Sequence, residues 1–163
     1  MEKKIEIRKA TEQDTNGILE MIKRLKKLNE EFDTRFTVSP ELEKRAGKHI
    51  GDAIRDTDHY ILLVAVANGE IAGFVKIDII ERIFYTPDRE GRITEFYVMP
   101  EYRRKGLGKI LLERAYLSMH NRKIGLITAE FPSLNLIALN FYRKDGFKDL
   151  TSIYGKEMED SGI

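Results

Sequence analysis

The sequence predicts a single α/β domain built on a mixed sheet, and three observations predict it. Strand-like and helix-like runs are interleaved along the chain, as in elements that share one sheet. Two of the strand-like runs are joined by Asn68-Gly69, a strong hairpin signal. A further strand-like run, 93–99, passes through a glycine-bearing turn into an amphipathic helix. At 163 residues the chain is most simply one domain, 1–163, long enough to bury a core, with no linker or repeat dividing it.

Residues 4–8 alternate Ile5 and Ile7 with charged residues, which suits a half-buried first strand. Thr11 followed by Asp14 has the form of a capping box. Ile18, Met21, Ile22, Leu25 and Leu28 then recur at helical spacing, leaving Lys23, Lys26 and Lys27 outside. The polar stretch 29–40 ends this helix, and a second helix is predicted over 41–54. Phe32, Arg35 and Phe36 lie between them; the aromatics are read as packing down, and the alternative is that this region walls a binding site. Residues 60–67 (YILLVAVA) form a continuous β-prone run, as expected of a strand covered on both faces. Residues 71–80 return as its hairpin partner, followed by a loop over 81–91. On the next strand Ile93, Glu95, Tyr97 and Met99 share one face and Thr94, Phe96 and Val98 the other. The helix beginning near Gly106 buries Leu111, Leu112, Ala115 and Met119. Residues 124–129 read as a strand, Pro132-Ser133 opens the last main helix, and Gly146 closes it. Residues 150–158 are predicted as a final strand and 159–163 as a loose tail.

The chemistry gathers in 93–109, ITEFYVMPEYRRKGLGK. Glycines at 106 and 108 permit a tight turn and close approach of a ligand to the main chain. The first N–H groups of the following helix lack intrahelical partners and favour an anion. Arg103, Arg104, Lys105 and Lys109 surround the same spot. A Walker loop is excluded, because Ile110 follows Gly108-Lys109 and Arg103 stands where its first glycine would be. A dinucleotide fingerprint is excluded by Leu111.

The pattern Arg/Gln-x-x-Gly-x-Gly/Ala is met by Arg103, Gly106 and Gly108 directly after a strand. Downstream stand Asn135, Ala138 and Tyr142, then Gly146-Phe147. On these residues the sequence resembles the GNAT superfamily of acetyl-CoA-dependent N-acetyltransferases, from about residue 2 to about residue 147. The resemblance implies an acyl-CoA N-acyltransferase fold with a mixed, mostly antiparallel central sheet flanked by helices. It also implies that acetyl-CoA is cosubstrate. The pantetheine arm would lie along Phe96, Tyr97 and Val98, with the pyrophosphate on the turn Arg103, Arg104, Lys105, Gly106, Leu107, Gly108 and Lys109. Asn135 would meet the pantetheine and Tyr142 the sulfur. The competing reading of RRKGLGK is a solvated basic turn.

Acetyl transfer to an amine needs a group that accepts the ammonium proton. Glu95, a carboxyl set among apolar strand residues, is the leading candidate; the alternative is a structural acid or a salt-bridge partner, with Glu81 and Asp78 as stand-ins. An α-amine, with a reference pKa of about 7.7–8.0, needs such a base less than a lysine amine at about 10.4. Tyr142 is the candidate acid, since a neutral phenol can donate to a departing thiolate. Asn135, Ala138 and Tyr142 stand at i, i+3 and i+7, which places them on one helix face. The bland account of Phe141 and Tyr142 is that they are core aromatics. A main-chain N–H of Tyr97 or Val98 would hold the oxyanion. No residue is required for a covalent intermediate, so direct attack in a ternary complex is expected.

A net charge of +1 provides no global field for nucleic acid or an anionic membrane. The absence of cysteine excludes thiol catalysis and disulfides. His49, His59 and His120 show no metal-ligand spacing, so no metal is expected. No apolar run suggests export or a membrane span, and a soluble, cytoplasmic protein is expected. The acceptor class stays open among protein N-terminus, lysine, polyamine and small amine. The contrasting function is a non-catalytic module that senses acyl-CoA or grips nucleic acid. Members of the family often dimerise, which carries a homodimer over as an expectation.

Overall fold

The computed structural model describes residues 4–159; residues 160–163 of the expected tail lie outside the described residues. Five strands form one sheet in the order β1-β2-β3-β4-β5: β1 (Ile5–Lys9), β2 (Tyr60–Ala67), β3 (Glu70–Glu81), β4 (Arg89–Val98) and β5 (Leu126–Ala129). The first four pair antiparallel, and β5 pairs parallel with β4. The mixed, mostly antiparallel sheet read from the resemblance is therefore the one observed.

Helices cover both faces. Against one face lie α1 (Thr15–Phe32) and α2 (Leu42–Arg55), burying Ile18, Met21, Ile22, Ile50 and Ala53 on Val64, Phe74 and Tyr97. Against the other lie α4 (Leu107–Asn121) and α5 (Leu136–Lys144), where Leu111, Leu112, Ala115, Met119 and Tyr142 meet Val75, Ile77 and Ile93. A four-residue turn of helix, α3 (Pro100–Arg103), precedes α4. The β2–β3 hairpin turns at Asn68 and Gly69 with φ of 52° and 79°, as a two-residue primed turn requires. Asp14 receives the Thr11 N–H at 2.7 Å and opens a short 3-10 turn that runs into α1.

Several local expectations are corrected. Helix α1 does not stop at Asn29 but continues to Phe32, because Asn29, seven residues after Ile22, stays on the buried stripe while Leu28 is largely turned out. Helix α5 opens at Leu136 rather than at Pro132-Ser133. Asn135 is its N-cap, with Oδ1 accepting the Ala138 N–H at 3.1 Å. Gly146, at φ 91°, closes α5 as expected: Phe147 N–H donates to Tyr142 O at 3.0 Å and Gly146 N–H to Arg143 O at 3.1 Å. The loop before β4 is shorter than 81–91, spanning 82–88.

Two strand expectations fail for want of a partner or a register. Residues 150–158 form no ladder, and Leu150, Ile153, Tyr154 and Met158 are exposed; strand-like composition does not suffice without a neighbouring edge. On β4, Lys76 stands opposite Glu95 and Ile77 opposite Ile93, so Thr94 is an extra residue that bulges from the ladder. Ile93 consequently faces α4, away from Glu95 and Tyr97, instead of sharing their face.

Candidate active site

The anion turn is built by the end of β4. Met99 N–H reaches Ala72 O at 2.8 Å, and Pro100 starts α3 at a position where its missing N–H costs nothing. Gly106, at φ 74°, turns the chain into α4, a conformation that disfavours any residue with a Cβ. Ile110 is the first to donate back along the helix, to Gly106 O at 3.2 Å. The N–H groups of Leu107, Gly108 and Lys109 are thereby left without helical acceptors. A Cβ on Gly108 would meet only Phe96 and Val98, at 3.5 Å and beyond. No protein neighbour therefore demands glycine there. This donor set suits a phosphate.

The basic side chains divide into two groups. Arg103 Nε donates to Val98 O at 2.9 Å, and its guanidinium lies 5.1 Å from the Tyr97 ring, which fastens the turn to β4. Lys105 lies over the Tyr102 ring at 5.5 Å. Arg104 and Lys109 are exposed beside the N–H groups.

Strands β4 and β5 pair only from Glu90↔Leu126 to Ile93↔Ala129, after which Glu130 N–H caps Ile93 O at 3.0 Å. From Thr94 to Val98, β4 has β3 on one side and, among the described residues, no strand on the other. This open edge leads from the N–H groups to Glu95. Beside it lies a groove of about 2140 Å³, lined in part by Lys26, Thr94, Glu95, Ala129, Phe131 and Tyr142. This exceeds the roughly 300–1,000 Å³ of single small-ligand sites, and residues 96–98 and 103–109 are not part of the lining.

Glu95 is not the bare carboxyl among apolar residues that the sequence suggested. Lys26 Nζ, from α1, donates to its Oε1 at 2.6 Å and its Oε2 at 2.7 Å. The helical spacing predicts Lys26 on the outer face of α1; it turns in because it stands four residues after Ile22 and three before Asn29, at the edge of the buried stripe. Its place beside that stripe was the one available signal. The stand-in acids are otherwise engaged or turned out. Asp78 accepts the buried Lys76 Nζ at 2.5 Å and the Thr94 hydroxyl at 3.2 Å, whereas Glu81 is exposed at the end of β3. On the same face Glu90 accepts from Arg92 at 3.0 Å and from the Thr128 hydroxyl at 2.6 Å.

Glu95 and Lys26 also reach a second, smaller cleft of about 420 Å³ between α1 and α2, which His49 lines. Burial, reinforced by the Lys76 ammonium, pushes the His49 imidazole below its ordinary range. Its ring stands edge-on to Tyr60, over which the Lys76 ammonium lies at 4.8 Å. Sequence reading gave His49 no role, since its neighbours come from three distant segments.

Tyr142 is buried, stacked on Phe131 at 5.4 Å and edge-on to Phe141 and Phe147. Among the described residues no protein group hydrogen-bonds its hydroxyl, and burial pushes the phenol well above its usual range, which keeps it protonated at neutral pH. Phe96 stacks on Phe141 at 5.6 Å and so joins β4 to α5 across the open edge. Glu95, on the α1 face of the sheet, and Tyr142, on the α4 face, thus both line one groove. The turn 103–109 lies at the far end of β4, and Asn135 Oδ1 is spent on the α5 cap.

Fold and site together define an α/β domain with an N–H cradle at the end of β4, against Phe96 and Val98, and a groove that begins at Glu95 on the same strand. The model of the Acetyltransferase (GNAT) family matches residues 23–147, and the chain belongs to that family. An uncharacterized N-acetyltransferase of Archaeoglobus fulgidus is 38% identical over 72 residues, 43% of this chain and 48% of that protein. Streptothricin acetyltransferase of Streptomyces lavendulae is 27% identical over 92 residues, 56% and 46%. The chain thus spans about half the length of the curated relatives it matches. A protein of Clostridium acetobutylicum described as a predicted acetyltransferase, solved with acetyl-CoA, shares the fold at a TM-score of 0.77 and 20% identity, over 94% of this chain and 96% of that one.

Proposed function

We propose that this chain is an acetyl-CoA-dependent N-acetyltransferase that moves the acetyl group to a primary amine by direct attack within a ternary complex. The observation that carries the reading is the continuity of the site. The N–H groups of Leu107, Gly108 and Lys109 lack helical acceptors, Gly108 lies against Phe96 and Val98 on the segment of β4 that has no β5 partner, and the same segment carries Glu95, which lines one groove with Tyr142. Leu107, Gly108 and Lys109 bind the pyrophosphate through their main chain, with Arg104 and Lys109 adding charge. Phe96, Tyr97 and Val98 offer the main-chain groups that hold the pantetheine. The N–H of Tyr97 or Val98 steadies the oxyanion. Glu95 takes the proton of the acceptor ammonium, and the neutral Tyr142 phenol donates to the departing sulfur.

The charges of the groove bear on the acceptor. Three acids that line the groove face cations, Glu95 with Lys26, Glu90 with Arg92 and Asp33 with Arg35, whereas Glu81 and Asp145 line it without an ion pair among the described residues. Uncompensated carboxylates draw a polyamine and matched ones do not, so with both kinds in the lining the acceptor stays open between an amine with one positive charge and one with several. Ile83, Phe84 and Tyr85, together with Ile153 and Tyr154, leave exposed apolar surface at the groove mouth, which supports the homodimer as part of this reading. Sedimentation of the chain tests that part.

Titration calorimetry with acetyl-CoA, paired with a free-thiol assay across peptides, lysine, polyamines and small amines, tests the activity. Binding followed by amine-dependent thiol release is expected. Binding without release from any amine would leave an acyl-CoA-sensing module. No binding would overturn the reading.

A further inference from the structure

The candidate base already holds an amine. Lys26 Nζ rests on both carboxylate oxygens of Glu95, the place an acceptor ammonium takes before it loses its proton. We propose that Lys26 is a self-acetylation site: the chain transfers an acetyl group from acetyl-CoA to its own Lys26 Nζ. The proposal rests on the acetyl-transfer reading above.

Three features single this lysine out. It lines the groove that Glu95 and Tyr142 share, whereas Lys148, the other lysine there, lies on an exposed segment and has no ion pair with Glu95. Its side chain is one-third exposed, so the amine can leave the carboxylate and swing toward an acyl group in the groove. Its neighbours on α1 point elsewhere: Lys23 pairs with Glu43 at 2.6 Å, and Lys27 is exposed.

The step balances without any further reagent. The Lys26 ammonium gives one proton to Glu95, and the freed nitrogen lone pair attacks the thioester carbonyl carbon. The N–C bond forms as the C–S bond breaks, and the electron pair leaves on sulfur. The nitrogen loses its second proton as the amide forms. Tyr142 supplies a proton to the thiolate and is reprotonated from solvent, so the sum is an N-acetyl-lysine, the free thiol and one released proton. The acetamide carries no charge and cannot hold Glu95 as an ion pair. Self-acetylation therefore frees the carboxylate for an external acceptor.

The test incubates the whole chain with acetyl-CoA and no amine, follows intact mass and peptide maps, and runs the free-thiol assay with amines on the same preparation. One added acetyl group on Lys26, gained at a rate independent of protein concentration, is expected. It should vanish in Lys26→Arg, which keeps the positive charge, and form roughly 100-fold more slowly in Glu95→Gln, the size of a positioned base's contribution. A Lys26 that stays unmodified while amines release thiol overturns the proposal. So does acetylation of Lys23 or Lys27 as fast as of Lys26. Failure to bind acetyl-CoA instead overturns the acetyltransferase reading itself.

Discussion

Lys26 on α1 and Glu95 on β4 form a two-point ion pair, 2.6 and 2.7 Å between the ammonium and the two carboxylate oxygens. The pair ties a helix to the strand that carries the site, across 69 positions of sequence. With side-chain exposures of 33% and 18%, it lies between a surface pair worth about 0–1 kcal/mol and a buried one whose breakage costs about 3–5. Lys26→Met and Glu95→Gln should each cost roughly 1–2 kcal/mol, with a coupling of about 1 kcal/mol in the double variant. Urea unfolding of the four proteins measures this. Strict additivity would mean that the pair is not formed in solution.

The two glycines of the turn should fail in different ways. Gly106→Ala forces a Cβ into a left-handed conformation and should cost about 1 kcal/mol of stability. Gly108→Ala meets no close protein atom, so its folding should hold. Its Cβ instead enters the space beside Phe96 and Val98 where the proposed coenzyme approaches, and acetyl-CoA affinity should fall about 10-fold, roughly 1.4 kcal/mol. Calorimetry and thermal melts separate the two. A Gly108→Ala protein with unchanged affinity would remove the cradle from the proposed mechanism.

Tyr142→Phe keeps the ring stacked on Phe131 and deletes a hydroxyl without a protein partner, so stability should change by under about 0.5 kcal/mol. The loss should fall on kcat, by roughly 10²-fold, with KM for acetyl-CoA little altered. Equal kcat in the two proteins would leave Tyr142 as a core aromatic.

What was legible in the sequence is what short-range chemistry dictates. The N–H cradle was readable because it needs only glycines, a strand end and a helix start within a few residues. The β2–β3 hairpin was readable from Asn68-Gly69 for the same reason. The bulge at Thr94 was not, because it exists only against the register of β3, and the simple alternation therefore put Ile93 on the wrong face. Lys26 was read as solvated because nothing within one helical turn of it reveals a carboxylate on a distant strand. Asn135 did carry a local signal, an N-cap residue type ahead of an apolar run. Extending the helix back to Pro132 obscured it. Residues 150–158 have the composition of a strand, but a ladder also needs a partner edge, which composition does not specify.

The start of α1 should give the protein an acid-sensitive step. The Arg8 guanidinium, hydrogen-bonded to the Asp14 carboxylate at 2.7 and 3.0 Å, holds it below the usual carboxylate range; burial opposes this, and the Thr11 N–H adds to the lowering. Unfolded, the same carboxyl titrates near about 3.9. Folding thus favours the ionised form, and the stabilisation is fully present above that value. As pH falls through the lower folded value it drains away. Asp14→Asn should be less stable than the native chain at pH 7 by roughly 1–2 kcal/mol, and the gap should narrow as the pH is lowered below 4. Urea midpoints at pH 7 and pH 3 measure the gap. A gap that persists at pH 3 would assign the contribution of Asp14 to packing and neutral hydrogen bonds rather than to its charge.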